Sequence, residues 1–402
     1  MKKNLFFMLL ASMSMGFTAC GSDDPEPNPD TQYEEVITIE SLDYTTEYQK
    51  SWNTYMSQVA QLLNRDSRTL YNSWADDFVT PEKEYGMTFA DIFKQHNGNG
   101  YESVVECLDE IVDGMVTIAN EVGDSKIGGP ADLWAAGKKS QAVLEVESWY
   151  SWHSIDDYTN NIRSIRNVYY GKYFGENEGA SAQGNSIYRL MEKYYNIDND
   201  IIVKDINNAI QAIQAIPAPF RNYIAAPQVA LARAACAQLK TNLKNTLKVD
   251  LKRIAELHPE ECDEVVKAVV DNVIVPTYAD LRTKNQALLQ AVNSFVAAPS
   301  NAGFTALANA WMASRRPWES SEAFLFGPVS VLQLDPNMDS WPLDQDGIER
   351  NIKAGNFDNI NWVDSDNDDV IEAAQNLRGF HTLEFLIFKD GKARTIVTTP
   401  AK

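Results

Sequence analysis

The chain has 402 residues, a formal net charge of −21 and 44% hydrophobic residues, enough apolar material for two domains with substantial cores. Its acidity excludes nucleic acid and anionic lipid surfaces as partners, because both present phosphate. Beyond the N-terminal stretch no apolar run approaches the ~18 residues that a membrane span needs.

Met1-Lys2-Lys3 is a short basic start, and Leu5 to Gly16 is apolar but too short to cross a bilayer as a mature helix. Phe17-Thr18-Ala19-Cys20 has the form of a bacterial lipobox. Residues 1–19 are therefore expected to be a lipoprotein signal peptide, with Cys20 lipidated as the membrane anchor. Residues 20–40 are expected to be an acidic, Pro-rich tether. Its Ser22-Asp23-Asp24 is either a surface-export signal or a solvated spacer. The expected location is the outer membrane, on its periplasmic or cell-surface face.

From Tyr48 the periodicity is helical almost throughout. Tyr48, Trp52, Tyr55, Val59 and Leu62 step by four and three, which puts one stripe against a core. Helical patterns follow over 100–122, 154–170, 199–216, 227–256, 262–296 with a kink at Pro276, and 303–326. Alternating strand patterns are scarce, Thr395-Ile396-Val397 being the main candidate. The expected fold is all-α, as two antiparallel four-helix-bundle-like domains over 41–257 and 260–402, with a seam near His258-Pro259. Cys107, Cys236 and Cys262 form no Cys-x-x-Cys pair, so they read as small buried hydrophobes with at most one disulfide.

Several stretches carry chemistry. His381 and Glu384 stand at i, i+3 in the apolar run Gly379-Phe380-His381-Thr382-Leu383-Glu384-Phe385-Leu386-Ile387-Phe388, so they share one helix face directed inward. Such a pair can share a metal ion, or the carboxylate can simply orient the imidazole. Gly379, a poor helix former, implies a close approach of backbone or ligand. Asp364-Ser365-Asp366-Asn367-Asp368-Asp369 opens like a calcium loop. Its sixth and twelfth positions are Asp369 and Gln375 instead of Gly and Glu, so calcium is disfavoured and an acidic capping loop is expected. His153 is assigned to packing, and His96 and His258 to exposed loops. No H-E-x-x-H, G-x-S-x-G or phosphate-binding glycine loop is present.

Gly379-Phe380-His381-Thr382-Leu383-Glu384 resembles the G-x-H-x-x-E signature of the imelysin-like proteins. The run Trp311 to Pro328, with Arg315, Pro317, Glu322 and Gly327, resembles a second family segment, and Asp339-Ser340-Trp341-Pro342-Leu343-Asp344 a third. The resemblance implies an exported protein, often a lipoprotein, of two four-helix bundles with the signature near their interface. It also implies a role linked to iron uptake or, alternatively, a peptidase activity. No catalytic motif of this chain supports the peptidase, and a structural or adhesin-like surface protein is a third possibility. The family places its signature in the first half of the chain. Here it lies close to the C-terminal end, while Glu147–Gly171 resembles the family's second half, so the halves are expected in circularly permuted order. In this light His381, Glu384 and Glu322 are the expected ligands of iron or zinc, and Arg315 and Asp344 the expected supports around them. The expected partner is a metal ion or small ligand.

Overall fold

Helices follow the apolar stripes in the computed structural model, which describes residues 32–175, 177, 179–361 and 367–398. The expected signal peptide, Cys20, most of the tether and Asp364–Asp366 lie outside the described residues. In chain order the helices are α1 (Gln49–Ala75), α2 (Phe89–Gln95), α3 (Val104–Asn120), α4 (Gly128–Ala135), α5 (Lys139–Glu145) and α6 (Ser154–Tyr170). Then come α7 (Ile187–Tyr194), α8 (Asn196–Gln214), α9 (Pro227–Asn242), α10 (Lys248–Leu257), α11 (Pro259–Val269) and α12 (Val275–Ala297). The last third holds α13 (Asn301–Glu319), α14 (Pro328–Val331), α15 (Leu334–Asp339), α16 (Gln345–Ala354), α17 (Asp368–Gln375) and α18 (Gly379–Ile387). The fold is all-α. Its one two-stranded ribbon, among the described residues, pairs β1 (Phe388–Lys389) with β2 (Lys392–Ala393). The strand expected over Thr395–Val397 reduces to one bridge between Val397 and Thr45, in which Val397 donates its N–H to the Tyr44 carbonyl at 2.9 Å.

Two bundles form, but not along the expected boundary. The first packs α3, α6, α8, α9 and α10 together. The second packs α12, α13 and α18 with α1, so the first long helix of the chain belongs with the last ones. The reason lies in its stripe. Trp52 stacks on Phe385 of α18, Trp74 lies 6.1 Å from Tyr278 of α12, and Tyr44 meets Phe295. Trp52 and Tyr55 also donate to the carbonyls of Leu386 and Leu377. Burying those rings against α12 and α18 is worth several kcal/mol that the near-sequence helices do not offer. The expected 41–257 unit is corrected accordingly.

Three expected helices are broken. The pattern over 227–256 and that over 262–296 each contain a widened turn, at Leu243–Leu247 and Val270–Ile274. The second sits just ahead of Pro276, whose ring would crowd the carbonyl four residues back in a regular turn. The helix expected to reach 326 stops at Glu319, and a 3₁₀ turn over Glu322–Phe324 redirects the chain. Cys107, Cys236 and Cys262 are buried free thiols, and burial pushes each up to about 12. No helix among the described residues is long and apolar enough to cross a membrane.

Candidate metal centre

Helix α18 is buried along its whole length. Gly379 opens it at φ 84°, and a Cβ there would lie 2.3 Å from the Met338 carbonyl oxygen. The close approach expected at this glycine is thus made by the end of α15, and it brings Asp339 against His381. Glu384 Oε2 sits 3.1 Å from His381 Nδ1, and its other oxygen accepts from the backbone N–H and hydroxyl of Ser151 at 2.7 and 2.8 Å. Nε2 therefore points away from Glu384, toward Asp339 Oδ1 at 3.1 Å and Glu147 Oε1 at 3.4 Å. Burial and the Arg315 charge oppose protonation of His381. Asp339 and Glu147 outweigh them and hold it charged well above the ordinary imidazole range.

Arg315, fully buried on α13, lies among four carboxylates. Its guanidinium reaches Glu147 at 2.8 Å, Glu319 at 2.6 Å, Asp157 at 3.4 Å and Asp339. Trp318 donates to the second Asp339 oxygen at 2.6 Å, Ser148 to Asp157 at 2.6 Å, and Asn161 to Glu319 at 2.5 Å. Lys126, at the end of a widened turn after α3, lies 3.0 Å from Glu147 Oε2 and 4.0 Å from Glu322 Oε1. The acids divide by environment. Burial works against ionisation of Glu147, but Lys126, His381 and Arg315 bring it down to about 2. Asp339 is held far below the usual range, because Arg315 and His381 overcome its burial. Burial wins at Asp157, Asp335 and Glu319, raised to about 7, 7 and 8, and at Glu322, raised well above its ordinary value. The two ionised carboxylates are thus the ones facing His381 Nε2.

A cleft of about 560 Å³ opens beside them, with Glu147, Asp339, Lys126, Glu322 and Trp341 in its wall. One ligand atom from each of Glu147, Asp339 and His381 lies within 4.8 Å of the others. One imidazole nitrogen and two carboxylates, partly open to a cleft, suit iron or zinc with free coordination positions. The oxygens that face Nε2 are the ones Arg315 also contacts, and Arg315 Nη2 itself lies 3.4 Å from Nε2, so an ion would share them with the guanidinium.

The expected site residues separate. His381 and Glu384 come together, with Glu384 on Nδ1 while Asp339 and Glu147 face Nε2. Glu322 groups with Glu319 and Asp339 and not with His381, because the chain turns after α13 and carries it toward Lys126. Arg315 stands at the centre. Asp344 is elsewhere: it caps α16 by accepting from the Gly347 N–H at 2.8 Å and pairs with Arg350. Sequence reasoning missed Glu147, Asp339, Lys126, Glu319 and Asp157. Glu147 and Asp339 lay inside stretches of family resemblance, but no helical spacing links them to His381. His153 pairs with Asp156 at 3.5 Å. His96, expected exposed, pairs with Asp263 at 3.0 Å, and His258, expected exposed, is half-buried against the Tyr194 ring. None of the three belongs to the donor group.

Known proteins agree with this architecture. The crystal structure of an imelysin peptidase from Bacteroides ovatus is 44% identical and superposes with a TM-score of 0.82, covering 89% of this chain and 99% of that one. Iron-regulated protein A of Synechococcus elongatus is 29% identical over 126 residues, 31% of this chain and 32% of the relative, so the match spans about a third of that protein. The family model described as Imelysin matches residues 22–246 and 274–400, and on that coverage the chain belongs to the imelysin family.

Proposed function

We propose that this imelysin-family protein holds a transition-metal ion, iron as its cargo, at the seam between its bundles, through His381 Nε2, Asp339 and Glu147. One observation carries the reading. Glu384, itself fixed by Ser151, occupies Nδ1 and so aims Nε2 at two ionised carboxylates beside a cleft. Metal-binding histidines are oriented in this way, by a carboxylate on the other ring nitrogen. Without an ion, a proton on Nε2 fills the same role, which accounts for the raised His381. Glu384 is in this reading a positioning group and not a ligand. The iron-regulated relative supports iron as the metal. Anchoring through Cys20 at the outer membrane, on either face, belongs to the same proposal.

Calorimetric titration with ferrous iron, under anaerobic conditions, and with zinc tests it. His381→Ala and Asp339→Asn are expected to abolish saturable binding while retaining the parent's circular dichroism. Glu384→Gln is expected to weaken it about 10–100-fold, and Glu322→Gln to bind as the parent does. His381→Ala binding as tightly as the parent would make the cluster a packing device. The similarity to the imelysin peptidase from Bacteroides ovatus gives a second reading. Chelator-sensitive cleavage of a protein substrate, lost in Asp339→Asn, would favour it.

A further inference from the structure

We infer that the extended segment over residues 35–43 is a strap that holds the loop between α5 and α6 in the form the metal centre needs, so that lifting the strap weakens the hold on the ion. The inference rests on the metal reading above and concerns its regulation. That loop carries Glu147, which faces His381 Nε2, and Ser151, which fixes Glu384. Its backbone is left-handed at Ser148, φ 56°, and at Trp152, φ 63°. Residues with a Cβ keep that conformation only where their surroundings impose it. Here the loop is gripped from outside. Trp149 stacks on Tyr150 at 3.9 Å, and the Arg221 guanidinium lies over the Trp149 ring at 4.6 Å. The Tyr150 hydroxyl donates to Gln345 Oε1 at 2.8 Å. Both gripping side chains also hold the strap. Arg221 donates to the Ile37 carbonyl at 2.7 Å, and Gln345 Nε2 to the Glu40 carbonyl at 2.8 Å. Because Glu40 takes the amide nitrogen, the amide oxygen faces Tyr150. Arg221 and Gln345 are thus positioning residues, and the strap fixes both.

The strap crosses the seam. On the side of the first bundle, Glu35 donates its N–H to the Asn222 carbonyl at 2.9 Å and pairs with Lys139 at 2.6 Å. On the side of the second, Arg394 donates to the Leu42 carbonyl at 2.8 Å, and Lys389 pairs with Asp43 at 2.7 Å. Its own seat is light. From Gln32 to Glu40 exposed and half-buried residues alternate, and the segment joins no sheet. Ile37 and Ile39 face the body, while Val36 and Thr38 face solvent. An element with so little buried surface opens before the helical cores do. It is therefore a handle by which a cargo ion is released without a change in any ligand.

The test uses the full chain, zinc titration and amide hydrogen exchange. Ile37→Asp combined with Ile39→Asp unseats the strap from its inner face. Val36→Asp combined with Thr38→Asp adds the same charge to its outer face. The inner pair is expected to bind zinc at least about tenfold more weakly. It should also exchange faster over residues 147–153, with α8 and α13 as protected as in the parent. The outer pair should match the parent in both readouts. Gln345→Met removes the contacts with Tyr150 and Glu40 and leaves the strap's sequence intact; it should shift both readouts as the inner pair does. Unchanged zinc affinity or unchanged loop exchange in the inner pair, or an equal change in the outer pair, would overturn the inference. If the inner pair loses its helical content, Gln345→Met is judged by the same criteria. Exchange is measured without metal. A parent that binds no zinc therefore rejects the metal reading, and loop exchange still decides whether the strap holds the loop.

Discussion

Arg315 shares one guanidinium among Glu147, Asp157, Glu319 and Asp339, with no exposed surface. Removing one partner of such a cluster strands the others in a low dielectric. Arg315→Met is therefore expected to lose about 3–5 kcal/mol of stability, read as a fall in melting temperature. Arg315→Lys should recover part of it, because one ammonium cannot serve four carboxylates in the plane of a fork. Arginine's position ahead of Pro317 was legible from family resemblance, and the pairing of His381 with Glu384 from spacing alone. Spacing could not say which ring nitrogen Glu384 would take. That choice fixes which acids face the other nitrogen, and it depends on Ser151, far away in the chain. Glu322 was placed wrongly beside His381 for a related reason: the helix that seemed to carry it ends three residues earlier.

At the scale of elements, α15 and α18 meet without side chains between them, at Gly379. Gly379→Ala must displace the Met338 carbonyl, and with it Asp339. Left-handed backbone alone costs about 1–2 kcal/mol for a residue with a Cβ. Gly355 offers the control, since it ends α16 at φ 66° with its nearest neighbour 4.0 Å away. Gly355→Ala is expected to show the backbone cost with metal binding intact. Gly379→Ala should melt lower still and bind metal weakly, as thermal denaturation and calorimetry on both variants would report. The existence and spans of most helices could be read from their stripes, with 154–170 matching α6 end to end. The widened turns could not, because one extra residue in a turn barely disturbs a stripe while it redirects the helix that follows.

For the whole molecule, the meeting of Tyr44 with Val397 makes the order of the halves testable. We propose that the order is a circular permutation of the family's. A chain opened between α10 and α11 at His258, with residue 398 joined to residue 44 by a short linker, spans only about one strand spacing of ~5 Å. It is expected to fold to the same helical content and to bind metal like the parent; a chain that stays unfolded would reject the proposal. The all-α fold was readable in the sequence, but the partner of α1 was not, since nothing local says which distant stripe a helix will cover. That pairing has a further consequence, for synthesis. The bundle of α3 to α10 can close once residue 257 is made, whereas α1 must wait for α12, α13 and α18. At roughly 5–20 residues per second, the rings of Trp52, Tyr55 and Trp74 stay uncovered for tens of seconds. The half carrying His381 is therefore the last to close, and the proposed donor set of Glu147, Asp339 and His381 assembles only then.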